Sequence, residues 1–240
     1  TAAVEIRTLY EDFGRMAEAV DRRSRYLRDF AAAVSHEFKT PLAGIQGAVE
    51  LLQDHGDDME AEQRSRFLGN IDSDARRLSD LVTRLLDLVR ADMARPEAGA
   101  AVALQPVAAR VADALKGDLA ITVDLPADLP QVAVPGASLE MALTILLENS
   151  RQVGASEVVI TTRIEADQVR LFVTDNGPGV AAGDVERIFE PFFTTRRSEG
   201  GAGLGLSIAR SLLRANRADL ELATSATGAI FQIVLPRVQA

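Results

Sequence analysis

The chain has 240 residues with 35 acidic against 26 basic side chains, a formal charge of −9, so as a whole it lacks the basic footprint of a nucleic-acid binder. Cysteine is absent, which excludes disulfides, Cys-ligated zinc and thiol catalysis, and two histidines, His36 and His55, are too few for a histidine-rich metal site. Hydrophobic residues are 47% and aromatic ones 5%, enough to bury a core that must be largely aliphatic.

From Ile6 the apolar residues step by three and four through Leu9, Phe13, Met16 and Val20. Arg23 occupies one step, and Leu27, Phe30 and Val34 resume the stripe. This spacing predicts a coiled-coil seam rather than an ordinary surface helix. Beyond Pro41 it continues as Leu42, Ile45, Val49 and Leu52, and the polar DHGDD run at 54–58 reads as a helix–helix turn. A second helix is expected over 59–93, with Phe67, Ile71, Leu78, Leu81, Leu85 and Leu88 as its stripe and a polar step at Asp74. Such a hairpin still has apolar surface to bury, so two hairpins are expected to pair into a four-helix bundle, making a homodimer.

The character changes at Arg95-Pro96, where Gly99 and a run of small residues mark a linker. Helices are expected over 107–116, 136–152 and 204–215. Strands are expected over 120–124, 157–165, 168–174, 219–224 and 229–235. The fold class is therefore multidomain: an all-α helical-hairpin dimerisation domain followed by an α+β sandwich. Domain boundaries are expected at 1–23, 24–95 and 96–240. No apolar run approaches the ~18 residues of a membrane span. The chain opens on Thr1 in what reads as mid-helix, so we expect a piece of a longer protein.

Five segments can carry chemistry. His36 lies two residues beyond Val34, and two residues turn a helix by about 200°, so it should face away from the bundle core. Glu37 beside it can hold the imidazole Nδ1–H and leave Nε2 its lone pair. Thr40 lies one turn on, and Pro41 lacks the N–H that would bond the Glu37 carbonyl. An isolated His-Glu pair on a helix is usually only solvated surface. Asn149, late in an apolar helix, offers a side-chain oxygen suited to Mg²⁺, which brings its own phosphates. Asp175-Asn176-Gly177-Pro178-Gly179 closes a strand, where an Asp can accept from an exocyclic amine. Ile188-Phe189-Glu190-Pro191-Phe192-Phe193 holds three of the nine Phe and reads as a hydrophobic plug or the anchor of a lid. Gly200-Gly201-Ala202-Gly203-Leu204-Gly205-Leu206 precedes a helix, whose N-terminal amides suit phosphate, but matches neither the Walker nor the Rossmann spacing.

Singly weak, in this order the segments resemble the boxes of a bacterial two-component sensor histidine kinase. Ser35–Leu42 resembles the H-box, Leu146–Ser150 the N-box, and Asp175–Gly179 the first glycine box. Ile188–Phe193 resembles the phenylalanine box, Gly201–Leu206 the second glycine box, and the stretch from Gly228 to Pro236 the terminal strand signature. Val4–Ala17 is more loosely similar to the second helix of a HAMP signalling module. The resemblance implies a phosphotransfer domain over about residues 24–95 and a GHKL-type ATP-binding domain beyond. It implies that His36 takes a phosphoryl group from ATP and passes it to an aspartate of a response-regulator receiver domain. Glu37 would activate His36, and Thr40 would position a water for dephosphorylating the regulator. Asn149 would hold Mg²⁺ and Asp175 would contact adenine. Gly177, Gly179, Gly201, Gly203, Leu204 and Gly205 would shape the nucleotide loops, and Arg196 and Arg197 are candidates for contact with phosphate. The parent would be an inner-membrane sensor whose cytoplasmic part this is. Two positions depart from the family pattern: Ile145 stands where Asn is common, and Gln152 where Lys is common. They keep open a second reading, an ATP-binding scaffold acting mainly as a phosphatase with weak autokinase.

Overall fold

The computed structural model describes residues 2–56, 58–93, 96–97, 99–196, 201–225 and 227–238. These fall into two units, Thr1–Asp80 and Leu81–Ala240. Helix α1 runs Ala2–His55 and passes through Pro41 unbroken, and α2 runs Ala61–Met93, so the turn between them is centred on Gly56 as the polar run suggested.

The face of α1 turned to α2 is not the apolar stripe alone. Glu37, Pro41 and Ala48 are buried, at spacings of four and seven, and Glu37 Oε2 lies 3.6 Å from Arg77 Nη2. Ala43, Gly44, Gly47 and Ala48 of α1 border a notch with Phe67, Asn70, Ser73 and Asp74 of α2. A Cβ on Gly44 would overlap the Asp74 carboxylate, so the polar step in the α2 stripe is accommodated by the residue without a side chain opposite it. Phe13, Met16, Val20, Leu27, Leu42 and Val49 stay exposed on α1. Leu68, Val82, Leu86, Val89 and Met93 stay exposed on α2, a second stripe that sequence reading passed over. Ile6, Leu9 and Arg23 have side chains outside the described set.

The second unit is built on a five-stranded sheet of order β1-β2-β3-β5-β4. The strands are β1 (Ala120–Val123), β2 (Glu157–Ile164), β3 (Gln168–Asp175), β4 (Asp219–Ala223) and β5 (Ile230–Pro236). β1 pairs parallel with β2, and the other pairings are antiparallel. Helices α3 (Leu104–Ala114), α4 (Gly136–Gln152) and α5 (Gly205–Ala215) complete the unit. The first of these starts three residues before the expected position, leaving Pro106 in its first turn, where the absent N–H costs no helical bond.

One shared core joins sheet and helices, and two periodicities define it. Along β3 every second residue is buried: Val169, Leu171, Val173 and then Asp175. Along α4 the buried set is Leu139, Ala142, Leu143, Leu146, Leu147 and then Ser150. Both runs are apolar until their last member, and those two last members meet.

Helix α5 is tied to both of its surroundings by polar contacts. Ser211 Oγ–H donates to Asp92 Oδ1 of α2 at 2.7 Å. Arg214 donates through Nε and Nη2 to the two Asp219 carboxylate oxygens at 2.9 and 3.0 Å. Arg210 Nε donates to Asp219 Oδ1 at 3.1 Å while its guanidinium stacks over the Phe189 ring, 4.5 Å from the centroid. Partial burial opposes ionisation of Asp219, but the bonds from Arg214, the Leu220 N–H and Arg210 together outweigh it and hold the carboxyl below its usual value. A depressed folded pKa contributes stability that is complete above the unfolded pKa and lost as pH falls through the folded one. Asp219→Asn is therefore expected to lower the melting stability at neutral pH by up to ~1 kcal/mol for such a solvent-screened cluster. The gap to wild type should close as a denaturation series is carried below the ordinary aspartate range.

Candidate functional site

The floor of the site is the Asp175 carboxylate, 4% exposed. Its Oδ1 accepts from the Gly177 N–H at 2.9 Å and the Ala229 N–H at 3.0 Å. Its Oδ2 accepts from Ser150 Oγ–H at 3.1 Å. A carboxylate has about four lone-pair sites, so three donors leave one on Oδ2 for a further donor. Asp175 is thereby kept as an acceptor, the chemistry required by an exocyclic amine.

Gly228 closes over this floor from the loop before β5. It has φ +70°, and a Cβ there would overlap the Asp175 carbonyl oxygen. No other residue fits, because the loop must bring the Ala229 N–H onto the carboxylate. Gly179 lies against it, since a Cβ there would come 2.8 Å from the Gly228 carbonyl oxygen, while Gly177 sits beside the Asp175 carboxylate. Asn176 faces away: its Oδ1 accepts from the Ser156 and Glu157 N–H groups, each at 3.0 Å, which ties the end of β3 to the start of β2.

The phenylalanine box and the second glycine box form one clasp. Ile188 and Phe192 are buried, and Phe189 and Phe193 pack against the core. Phe192 N–H donates to the Gly203 carbonyl at 2.8 Å. Phe192 itself has φ +66°, a costly conformation for an aromatic residue. Gly203, at φ +65°, lies so close to the Phe192–Phe193 backbone that a Cβ would overlap it. Gly201 N–H donates to the Arg196 carbonyl at 3.1 Å, and Arg196 is half-buried. Arg197 lies outside the described residues.

Leu204 is buried and Gly205 opens α5. The Leu204 side chain is thus committed to the core, which leaves only its backbone to face a ligand. The first amides of α5 have no intrahelical acceptor and form an electropositive end. A Cβ on Gly205 would come 3.2 Å from Ile145 Cγ2 of α4, so the aliphatic Ile145 packs against the start of α5. Asn149 is one turn further along α4 on the same face and half-buried. Its amide oxygen is the hard donor that Mg²⁺ accepts. No group of three or more His, Cys, Asp or Glu that could hold a metal occurs among the described residues. The donor set thus fits an ion that arrives with phosphate oxygens rather than one caged by protein.

In the first unit His36 is exposed, as its position off the stripe requires. Thr40 Oγ1–H donates to the His36 carbonyl at 3.4 Å, so the two share one helical turn. Glu37 departs from expectation. Its carboxylate is 3% exposed and directed to Arg77, about 100° around the helix from His36. The structure thus turns Glu37 into the hairpin rather than toward the His36 ring. His55 ends α1, exposed, its carbonyl accepting from the Asp58 N–H.

Ser150, Gly228 and Arg77 are the contributors that motif reading did not single out. For Ser150 and Asp175 a signal existed: each is the polar residue on which an apolar periodicity ends.

Residues 26–94 match the His Kinase A (phospho-acceptor) domain, and residues 136–239 match the histidine kinase-, DNA gyrase B- and HSP90-like ATPase domain. The probable sensor histidine kinase TcrY of Mycobacterium tuberculosis is 36% identical over 221 residues, covering 88% of this chain and 46% of that protein. The sensor protein ChvG of Rhizobium meliloti is 33% identical over 258 residues, covering 97% of this chain and 44% of that one. The chain thus spans less than half the length of either relative. Full-length ShkA, solved in complex with AMPPNP, superposes with a TM-score of 0.61 at 29% identity, over 88% of this chain and 47% of that one. The histidine kinase ThkA, solved with the response regulator protein TrrA, shares the fold, with a TM-score of 0.69 at 22% identity over 91% of this chain and 64% of that one. No helix among the described residues is long and apolar enough to cross a membrane.

Proposed function

The chain belongs to the bacterial two-component sensor histidine kinases, as their phospho-acceptor and ATPase region, and on that premise we propose that it phosphorylates His36 from ATP and passes the group to an aspartate of a response-regulator receiver domain. The observation that carries this reading is that one helix, α4, reaches both the buried acceptor and the glycine-led helix start. Its Ser150 donates to Asp175, and its Ile145, one turn before Asn149, packs at Gly205.

In this reading Asp175 Oδ2 accepts the adenine amine. Gly177, Gly179 and Gly228 let the backbone approach the base. The amides at the start of α5, with Gly201, Gly203 and Gly205, receive the phosphates, and Arg196 and Arg197 supply positive charge beside them. Mg²⁺, held through Asn149, would neutralise charge on the phosphates. His36 Nε2 attacks the γ-phosphorus as its bond to the bridging oxygen breaks and ADP departs; the resulting phosphohistidine is then attacked by the regulator's aspartate. Phosphoryl transfer asks for positioning and charge stabilisation rather than covalent help, and these residues provide both. The Glu37–Arg77 pair fixes the rotation of α1 that presents His36 outward.

The active form is a homodimer. Its support is the stripe of exposed apolar residues on each hairpin helix, Phe13 through Leu27 on α1 and Leu68 through Val89 on α2, which one hairpin cannot cover alone. The regulator docks on the polar faces of the hairpin. The looser likeness of residues 4–17 to a HAMP helix, and the naming of the relatives as sensors, support a place as the cytoplasmic part of an inner-membrane sensor.

Incubation with γ-labelled ATP and Mg²⁺ is expected to give an acid-labile, base-stable label on the wild-type chain and none on His36→Gln. An unlabelled wild-type chain that still binds ATP would favour the scaffold reading, which Ile145 and Gln152 motivate by removing polar contacts near phosphate. Thr40, one turn from His36, is positioned to orient a water toward a phosphorylated regulator. Thr40→Ala is expected to slow release of phosphate from the regulator by about a hundredfold, the lower end of the scale for one positioned proton-handling group, with autophosphorylation retained. Equal loss of both would remove the separate role.

A further inference from the structure

Ser150 is wholly buried, sits next in sequence to Asn149, and points away from it toward β3. Its single hydroxyl hydrogen has two acceptors within reach, the Leu146 carbonyl at 3.2 Å and Asp175 Oδ2 at 3.1 Å. The ionised acceptor is the stronger of the two. The other two donors, the Gly177 and Ala229 amides, both bind Oδ1. The two amides anchor Oδ1, and the broad terminal torsion still lets the carboxylate rock about that anchor. The Ser150 hydroxyl, on the opposite oxygen, holds Oδ2 itself and takes one of its lone pairs.

We infer that Ser150 is a positioning residue for base selection: by holding Asp175 Oδ2 it aims the remaining lone pair at a 6-amino group and so favours aminopurine over other purine nucleotides. The inference rests on the reading of Asp175 as the base acceptor. With Oδ2 held, its remaining lone pair must meet a donor. A 6-oxo purine brings an acceptor to that point and is repelled, and a purine bare at position 6 leaves the lone pair unmatched in a buried setting. A serine that merely filled the core or bonded its own helix would affect all purine nucleotides alike.

The test is calorimetric titration of the full chain with ATP and with purine riboside triphosphate, which differs only in lacking the 6-amino group. Wild type is expected to bind ATP more tightly. Ser150→Ala is expected to weaken ATP about fivefold, the scale of one lost hydrogen bond, while purine riboside triphosphate changes by less than about twofold. Ser150→Cys, which keeps the volume and a weak donor, is expected to fall between, and reads the same contrast should the alanine variant not fold. Equal weakening of both nucleotides, or unchanged ATP binding, overturns the role of Ser150 alone. A wild-type chain without preference between the two nucleotides overturns it together with the reading of Asp175 beneath it.

Discussion

A carboxylate placed where a core residue belongs is the constraint around which the ATPase half is arranged. Asp175 occupies the fourth inward position of β3, opposite Val158 in register, and is nearly inaccessible. Burying a charge there is costly unless donors meet it. Meeting it recruits three separate parts of the chain: the Gly177 amide, the Ala229 amide before β5, and Ser150 on α4. Those demands explain the local sequence. Gly228 must lack a side chain for Ala229 to reach, and Gly179 must lack one because Gly228 lies on it. The first glycine box and the terminal strand signature, far apart in sequence, are therefore two sides of one requirement.

The hairpin half divides its duties by helix angle. With residues about 100° apart on a helix, His36 faces solvent while Glu37 turns into the hairpin, where Arg77 receives it. The same helix also carries an apolar stripe that α2 does not cover. α1 thus has three faces with separate duties: small and polar residues toward α2, apolar residues left open for a second copy in the proposed dimer, and His36 with Thr40 outward. Gly44 against Asp74 lets the two helices of the hairpin meet at a polar step without a clash.

Much of this is legible before any coordinates. The α4 span is read without error from its Leu periodicity and the Gln152 end, and the alternation of β2 and β3 locates both strands to within a residue or so. Helix α3 is misplaced because Pro106 invites a start beside it, whereas the helix begins earlier and tolerates the proline in its first turn. The boxes name Asp175 and the glycines but not what holds them. Ser150 is hidden because a serine near a helix end usually faces solvent; only the extended Leu139-Leu143-Leu146 stripe shows that it is the next buried step. The burial of Glu37 is hidden for a related reason, since adjacency in sequence does not place neighbouring side chains on one face of a helix. Contacts such as Gly203 on Phe192, or Gly228 on Asp175, join segments that sequence spacing alone cannot bring together.

The claim that this buried acceptor governs nucleotide recognition is tested most directly by measuring ATP affinity for Asp175→Asn alongside its melting curve. The amide keeps the size of the side chain and one accepting oxygen for the Gly177 and Ala229 amides, but replaces the other acceptor with a donor. The account requires a folded protein whose ATP affinity falls by more than about tenfold, the scale of exchanging a charged hydrogen bond for a mismatched one. A folded variant that binds ATP as wild type does would contradict it.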